Sequence, residues 1–265
     1  MKAAACRATL ALAVLLMAAG AATPPAGAQG GGETRRSGFA DMSPATQAMQ
    51  RDDGQNPAML WVQDGAAAWD TVAGRAAKSC AACHGDAATS MRGVAARYPA
   101  WDPTTGGPFD LAQRIQACRV RHQQAPPLAA ESQELLALES FVGRQSRGLP
   151  IAPPDDARLA PARARGESLF HQRIGQLDLS CAQCHDARAG GRLGSSLIPQ
   201  GRSVGYPVYR LEWQGLGSLQ RRLRNCMTGV RAEPFAYGAP ELVELGLYLA
   251  LRDRGMAGET PGVRP

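Results

Sequence analysis

The sequence predicts an all-α protein built from two similar domains that follow one another along the chain. Three observations support this prediction: one motif and its surroundings occur twice, the flanking segments have helical spacing, and a proline-rich segment separates the copies. Near the end of the second copy, Leu242, Leu245 and Leu249 recur on one face of a helix. No alternation of strands and helices and no glycine-rich nucleotide fingerprint is found. These patterns favour a helical fold over an α/β fold.

The two copies agree in spacing as well as in residue type. In each copy a glycine lies 15 residues, and an aromatic residue 11 residues, before the first cysteine of a Cys-x-x-Cys-His motif. A Tyr-Pro pair and a later isolated cysteine also lie 20 residues apart in both copies. The matched residues are Gly65 and Gly166, Trp69 and Phe170, Tyr98-Pro99 and Tyr206-Pro207, Cys118 and Cys226, and Phe141 and Tyr248. This pattern resembles that of class I cytochromes c, in which the first and last helices cross through a small residue and aromatics, so we expect such a crossing in each copy.

Composition sets the domain boundaries. The predicted first domain covers 58–152 and the second, which carries the candidate active site, covers 162–265. Between them, 153–161 is rich in proline and aspartate and predicts a semi-rigid linker. Residues 29–57 are polar and predict an extended arm, for which the surface of a partner protein is one candidate packing site.

The first 28 residues have the features of a signal peptide. Lys2 and Arg7 precede a short apolar stretch, and a small-residue cleavage site ends at Ala28. The apolar stretch is too short to span a bilayer. Cleavage would leave a soluble periplasmic protein.

The repeated motif predicts a covalent haem in each domain. In Cys-x-x-Cys-His, the two thiols bond the porphyrin edge and the histidine ligates one face of the iron. A single copy could equally be a zinc or thiol redox site. Two copies at matching offsets in an exported chain favour haem. The predicted attachment residues are Cys80, Cys83, Cys181 and Cys184, and the predicted iron ligands are His84 and His185.

The ligand on the opposite face of the iron decides the function. Electron-carrier cytochromes of this class normally supply methionine, but none recurs in both copies, and Met91 lies close to its own motif. Cysteine does recur, at Cys118 and Cys226, and ferric iron binds thiolate well. A Cys118–Cys226 disulfide is the alternative, since the periplasm is oxidising. We favour axial ligation, and we interpret His122 and His171, which have no counterparts, as surface residues.

Arginines surround the second candidate ligand. The formal charge of the chain is +6, and eight arginines stand against one acid, Glu212, in residues 187–231. An exported protein rarely meets nucleic acid, so the clustering of the arginines is a better signal than the net charge.

Arg222 is the strongest candidate within this cluster. It precedes Cys226 by one helical turn on the same face, where a cation lowers the thiol pKa and can hold an anion against the sulfur. Arg231 is a second candidate for binding an anionic substrate. Arg114 precedes Cys118 in the same way. A salt bridge to a haem propionate is the alternative role, and the sequence leaves it open for Arg114.

These residues resemble the SoxA family, the dihaem cytochrome subunit of the thiosulfate-oxidising SoxAX complex. The segment Arg222-Leu-Arg-Asn-Cys226-Met is the most specific part of the resemblance, which covers the whole chain after the signal peptide. The resemblance implies a haem-dependent L-cysteine S-thiosulfotransferase that joins thiosulfate oxidatively to a cysteine of the sulfur carrier SoxYZ. It assigns Cys226 and Arg222 to the active site, and Cys118 to a first haem distant from it.

The resemblance also implies a set of partners and cofactors. The chain would carry two covalently bound haem c groups and form a heterodimer with the monohaem cytochrome SoxX. Electrons would pass to a small cytochrome acceptor. Three rivals remain at this point: a plain dihaem electron carrier, a dihaem peroxidase, and a thiol switch based on a Cys118–Cys226 disulfide.

Overall fold

Ten α-helices carry the fold of the described part of the chain. The computed structural model describes Met1 and residues 35–265. The predicted signal peptide (1–28) and residues 29–34 of the predicted arm therefore lie outside the described residues. Among the residues that are described, no helix combines the length and the apolar character needed to cross a bilayer. The helices are α1 (Pro44–Arg51), α2 (Met59–Asp70), α3 (Cys80–His84), α4 (Ala87–Ser90), α5 (Leu111–Cys118), α6 (Gln133–Arg144), α7 (Ala160–His171), α8 (Cys181–His185), α9 (Leu219–Gly229) and α10 (Pro240–Arg252).

Short strands accompany the helices, so the predicted all-α class is confirmed only in part. The strands form three small sheets, of which two are hairpins (β1 with β2 and β3 with β4) and the third has the order β6-β5-β7. No strand between residues 35 and 265 exceeds three residues, which is too short for an alternating pattern to reveal it. The strands are β1 (Ala100–Asp102), β2 (Gly107–Phe109), β3 (Arg192–Leu193), β4 (Ser196–Leu197), β5 (Val208–Arg210), β6 (Gly215–Gly217) and β7 (Gly262–Arg264).

Two helix crossings form the frame of the molecule, one in each repeat. A Cβ atom at Gly65 of α2 would lie 2.2 Å from the carbonyl oxygen of Ala137 in α6. A Cβ atom at Gly166 of α7 would lie 2.1 Å from the carbonyl oxygen of Glu244 in α10. Only glycine allows the backbones to approach so closely. The predicted crossing of first and last helices through a small residue is thus confirmed twice.

Aromatic pairs pack beside each crossing. The ring centroids of Trp69 and Phe141 are 5.7 Å apart, and those of Phe170 and Tyr248 are 5.4 Å apart. Trp69 and Phe170 are buried, in agreement with their predicted role in the core. Such pairs add about 0.5–1.5 kcal/mol to the stabilisation that burial provides.

A hairpin precedes the cysteine-bearing helix in both repeats. A cis peptide bond joins Tyr98 to Pro99, and another joins Tyr206 to Pro207. Each is followed by an antiparallel hairpin of the same register, β1 with β2 and β5 with β6. The helices α5 and α9 begin immediately afterwards and carry Cys118 and Cys226. Equal spacing in the sequence therefore reflects equal structure.

The segment predicted as an extended arm over 29–57 differs from that prediction where it is described. Its central part is helix α1, and it packs against the chain's own C-terminal strand. The side-chain oxygen Oε1 of Gln50 accepts a hydrogen bond of 2.8 Å from the backbone nitrogen of Val263. The side-chain nitrogen of Asn56 donates one of 3.1 Å to the carbonyl oxygen of Pro261. Since β7 pairs in parallel with β5, this contact supports the second repeat.

The segment predicted as a linker, 153–161, lies beside the end of the chain. Just before it, the backbone nitrogen of Ile151 donates a hydrogen bond of 2.8 Å to the carbonyl oxygen of Met256. The segment includes a short 3-10 turn at Ala157–Leu159, and its last two residues already belong to α7. The second repeat therefore begins slightly earlier than composition indicated.

Candidate haem centres

Each Cys-x-x-Cys-His motif forms a short helix with a side-chain cap. The hydroxyl of Ser79 accepts a hydrogen bond of 3.0 Å from the nitrogen of Ala82 at the start of α3. The hydroxyl of Ser180 accepts one of 3.2 Å from the nitrogen of Gln183 at the start of α8. A capped helical turn brings cysteines three residues apart onto one face. Both motifs thus present two thiols side by side, with a histidine at the helix end.

A glycine turn ties each motif to the cysteine-bearing helix of its repeat. Gly74 has φ +66°, and a Cβ atom there would lie 2.0 Å from the carbonyl oxygen of Gln123, just beyond α5. Gly175 has φ +70°, and its Cβ would lie 2.1 Å from the carbonyl oxygen of Val230, just beyond α9. Both the backbone angle and the space demand glycine. This pair was missed in the sequence, although the equal offset of both glycines from the motifs was a usable signal.

In the second centre, His185 and Cys226 face each other. The Nδ1 atom of His185 lies 2.8 Å from the carbonyl oxygen of Pro199. The thiol of Cys226 lies close enough to the same ring for each group to shift the pKa of the other. A carbonyl on Nδ1 is the usual device that fixes the tautomer and orientation of a metal-ligating histidine.

Charge favours the thiolate form of Cys226. Burial alone would raise its pKa, but the hydrogen bond with His185 and the positive charges of Arg222 and Arg210 outweigh it, so the pKa lies below its usual value. The pKa of His185 is raised, because Cys226 and the carbonyl of Pro199 outweigh the effect of burial. The pair therefore combines a soft sulfur donor with an imidazole nitrogen.

The first centre has the same parts in a different electrostatic setting. Cys118 is close enough to Cys80 and Cys83 for their charges to interact. Burial raises the pKa of the Cys118 thiol, and the charges of Arg114 and Arg121 offset this effect only in part. The Cys118 thiolate is therefore less favoured than the Cys226 thiolate.

The indole ring of Trp69 orients the histidine side of the first centre. Its centroid lies 5.6 Å from that of His84, and its Nε1 donates a hydrogen bond of 3.1 Å to the carbonyl oxygen of Gly85. Met91, the methionine nearest to this motif, packs against the apolar cluster that contains Trp69. Met91 lies seven residues before Tyr98, and Pro199 lies seven residues before Tyr206, so Met91 and Pro199 occupy equivalent positions in the two repeats.

Both centres have the donor set and the walls that a haem requires. All six cysteines of residues 35–265 are free, and Cys118 and Cys226 lie in separate centres without a disulfide between them. Each centre offers two adjacent thiols for attachment, and one histidine and one further cysteine as iron donors. Apolar side chains such as Leu111 and Ile115 in the first repeat, and Leu219 and Leu223 in the second, line the clusters beside them. The residues present therefore fit haem c.

The arginines that precede the two cysteines have different partners. Arg114 donates a hydrogen bond of 2.8 Å to the carboxylate of Asp102, which is only 1% exposed. Arg222 contacts Glu212 at 4.0 Å, and Glu212 is 50% exposed. The charge of Arg114 is thus neutralised inside the protein, whereas the charge of Arg222 is largely uncompensated.

The remaining candidate residues from the sequence lie on the protein surface. Arg231 is exposed at φ +58°, and its carbonyl oxygen accepts a hydrogen bond of 3.3 Å from the nitrogen of Gln176. Within residues 35–265 we find no contact between Arg231 and Cys226, so its substrate role stays a prediction. His122 and His171 are exposed, as expected for surface residues.

Comparison with known proteins identifies the family. The model of the SoxA/TsdA cytochrome c domain matches residues 64–151 and 165–257. The chain is therefore a protein with two cytochrome c domains. A relative from Pseudaminobacter salicylatoxidans, named L-cysteine S-thiosulfotransferase subunit SoxA, is 38% identical over 86% of this chain and 80% of its own. A protein of the same name from Rhodovulum sulfidophilum is 35% identical over the same shares.

A solved structure agrees with this assignment. The crystal structure of SoxXA from P. pantotrophus matches with a TM-score of 0.83 and 33% sequence identity over 86% of each chain. The chain belongs to the SoxA family, and the resemblance predicted from the sequence is confirmed at this level.

Proposed function

We propose that this chain is the dihaem subunit of a periplasmic L-cysteine S-thiosulfotransferase, which oxidatively joins thiosulfate to a cysteine of a sulfur-carrier protein. The observation that carries the proposal is the second centre, where Cys226 faces His185 and Arg222 stands one helical turn away with little neutralising charge. The names of the relatives support the same activity.

The proposed haem ligands follow from the two centres. One haem c would be attached to Cys80 and Cys83 with His84 and Cys118 on its iron. The second would be attached to Cys181 and Cys184 with His185 and Cys226 on its iron. The attachment motifs, the fixed tautomer of His185 and the apolar clusters support this assignment.

The proposed reaction balances as follows. A sulfur–sulfur bond forms between the carrier cysteine and the outer sulfur of thiosulfate, the thiol loses its proton, and two electrons are released. When bound, the haem supplies the centre that accepts electrons. Arg222 would bind the anionic sulfonate end and hold the outer sulfur near Cys226. The pKa of the Cys226 thiol lies below its usual value because of the hydrogen bond with His185 and the nearby positive charges, which favours the thiolate as an iron donor.

The proposed assembly extends beyond this chain. We propose a heterodimer with a monohaem cytochrome of the SoxX type, a transient complex with a SoxYZ carrier, and electron transfer to a small cytochrome. The signal peptide 1–28 would direct export. The proposed domains are 58–152 and 162–265, with the active site in the second. The SoxXA crystal structure that matches this chain supports the SoxX partner.

Replacement of Cys226 by methionine tests the proposal. We expect Cys226→Met to fold and to keep two haems per chain, measured as intact mass, but to lose thiosulfate-dependent reduction of an acceptor cytochrome. The matched control is Cys118→Met, which makes the same chemical change in the other repeat and should retain most of the turnover. Full turnover by Cys226→Met would remove the enzymatic role of this residue and leave a plain dihaem electron carrier.

A further inference from the structure

The two repeats carry opposite charges at one equivalent position. Asp102 is the last residue of β1 and pairs with Gly107, while Arg210 is the last residue of β5 and pairs with Gly215. Each lies 16 residues before the cysteine of its repeat. The hairpins have the same register, so Arg210 stands where the first repeat has its buried aspartate.

This exchange changes the surroundings of the neighbouring arginine. In the first repeat the carboxylate of Asp102 neutralises Arg114 at 2.8 Å. In the second repeat Arg222 meets a second cation, Arg210, whose side chain is only 14% exposed. Two guanidinium groups that lie close together repel each other unless an anion lies between them.

The carboxylate of Glu212 lies near the guanidinium groups of both Arg210 and Arg222, but it is a weak partner for them. The Oε1 atom of Glu212 lies 2.7 Å from Nε of Arg210 and 4.0 Å from an Nη atom of Arg222. Glu212 follows β5 in the turn of the hairpin and is half exposed, so it can move into solvent at little cost. The aromatic ring of Trp213, 5.2 Å from the guanidinium carbon of Arg210, holds that group in place.

We propose that Arg210 is a substrate-binding residue, and that with Arg222 it forms a two-guanidinium site for the sulfonate end of a dianion, from which Glu212 is displaced. The inference deepens the proposed function and rests on it. A tetrahedral oxyanion offers three oxygens, enough to accept hydrogen bonds from two arginines at once. Glu212 acts as an internal counterion when no substrate is bound.

The test uses the complete haem-loaded complex and thiosulfate as the probe. Direct calorimetric titration with thiosulfate gives Kd, and steady-state kinetics give KM and kcat. Arg210→Asp, which restores the residue of the first repeat, should raise Kd and KM by about tenfold or more, because a charge-assisted contact is lost and Arg222 gains a carboxylate partner. Arg210→Lys should lie between this variant and the natural protein.

Two further variants sharpen the test. Glu212→Gln should lower Kd for thiosulfate, because the competing carboxylate is gone, and should make inorganic sulfate a stronger competitor. Arg158→Asp is the matched control, since it makes the same charge change at a side chain that is 60% exposed and paired with Asp156. It should leave Kd within about twofold, because exposed charges are screened by solvent and salt.

Each negative result has a different interpretation. If the natural complex shows no thiosulfate-dependent transfer, the proposed function fails. If it turns over normally while Arg210→Asp binds thiosulfate with unchanged Kd, only the role of Arg210 is overturned. A shift of the haem reduction potential in Arg210→Asp with unchanged Kd would assign Arg210 to a haem propionate instead.

Discussion

The two repeats of this chain share a scaffold and differ in charge. Both have the glycine crossing, the cis Tyr-Pro bond, the hairpin and the cysteine at the same places. At three equivalent positions, however, the first repeat has an acid where the second has none. These pairs are Asp102 and Arg210, Asp110 and Ser218, and Glu139 and Gly246.

The comparison shows where duplicated structure allows a new function. The geometry of the candidate haem centres is shared by both repeats, because it depends on backbone contacts such as those of Gly65 and Gly166. The residues that set the local charge, such as Asp102 and Arg210, lie on the hairpins. Arg222 in the second repeat contacts the half-exposed Glu212 at 4.0 Å, whereas Arg114 in the first repeat is paired with the buried Asp102 at 2.8 Å.

The largest expected effect on stability comes from disrupting the helix crossing in either repeat. Gly65→Ala and Gly166→Ala would each place a Cβ atom within 2.2 Å of a backbone carbonyl oxygen, so the crossing helices must separate. We expect each change to lower the free energy of unfolding by about 2–4 kcal/mol, as overpacking does elsewhere. Urea unfolding followed by circular dichroism measures this loss.

Gly246→Ala serves as the control for both glycine variants. It lies in α10, and its Cβ would meet neighbouring atoms only at 3.9 Å, an ordinary contact. The change should be neutral or slightly stabilising, because alanine favours the helix. Equal losses at Gly65 and Gly246 would show that the crossing is not the tight contact.

The charge difference predicts a smaller, pH-dependent effect in the first repeat alone. Burial would raise the pKa of Asp102, but hydrogen bonds from Arg114 and Thr105 outweigh it and hold the pKa below its usual value. Removal of a buried charge partner is costly. Asp102→Asn should therefore lower the free energy of unfolding by about 2 kcal/mol at pH 7.

The sign of the pH dependence follows from the lowered pKa. The stabilisation by Asp102 is present above the pKa of the unfolded carboxyl, about 3.9, and is lost as the pH falls through the lower folded value. The gap between the natural protein and Asp102→Asn should thus close below about pH 4 in urea unfolding series. A gap that persists at low pH would mean that the loss comes from packing rather than charge.

Much of the scaffold could be predicted from the sequence, because equal spacing in two copies reveals equal structure. The offsets of Gly65 and Gly166 from their motifs predicted the crossing, and the recurrence of Cys118 and Cys226 predicted their placement beside the motifs. Such features are local in the sequence or occur twice in it, so they can be recognised from one sequence alone.

The charge pairing was not predictable in the same way. Asp102 and Arg114 meet only because β1 and β2 fold back, and three-residue strands leave no periodic signal. The contact of the α1 region with the β7 region joins segments from opposite ends of the described chain, so no local sequence pattern predicts it. For this reason Arg231 was favoured as a second cation, while Arg210, whose charge acts on Cys226, was overlooked.

The last expected effect concerns the acid of the first repeat whose equivalent in the second repeat is a glycine. Glu139 lines a cavity of about 640 Å³ between the repeats, together with Asp110 and Gly246. Burial and the neighbouring carboxylates of Asp110 and Glu131 raise its pKa to about 8. The folded protein therefore holds a proton that the unfolded chain releases near pH 4.5, and stability falls as the pH rises between these values.

Glu139→Gln tests this effect because it keeps the shape and removes the titration. The stability of the variant relative to the natural protein should rise by about 1.4 kcal/mol for each pH unit between about 4.5 and 8, and the difference should vanish at lower pH. Urea unfolding at several pH values measures it, with the exposed Glu134→Gln in the same helix as control. A difference that does not change with pH would show that Glu139 stays ionised in the cavity. In that case the contrast between the repeats would be confined to the hairpin, where Asp102 and Arg210 lie.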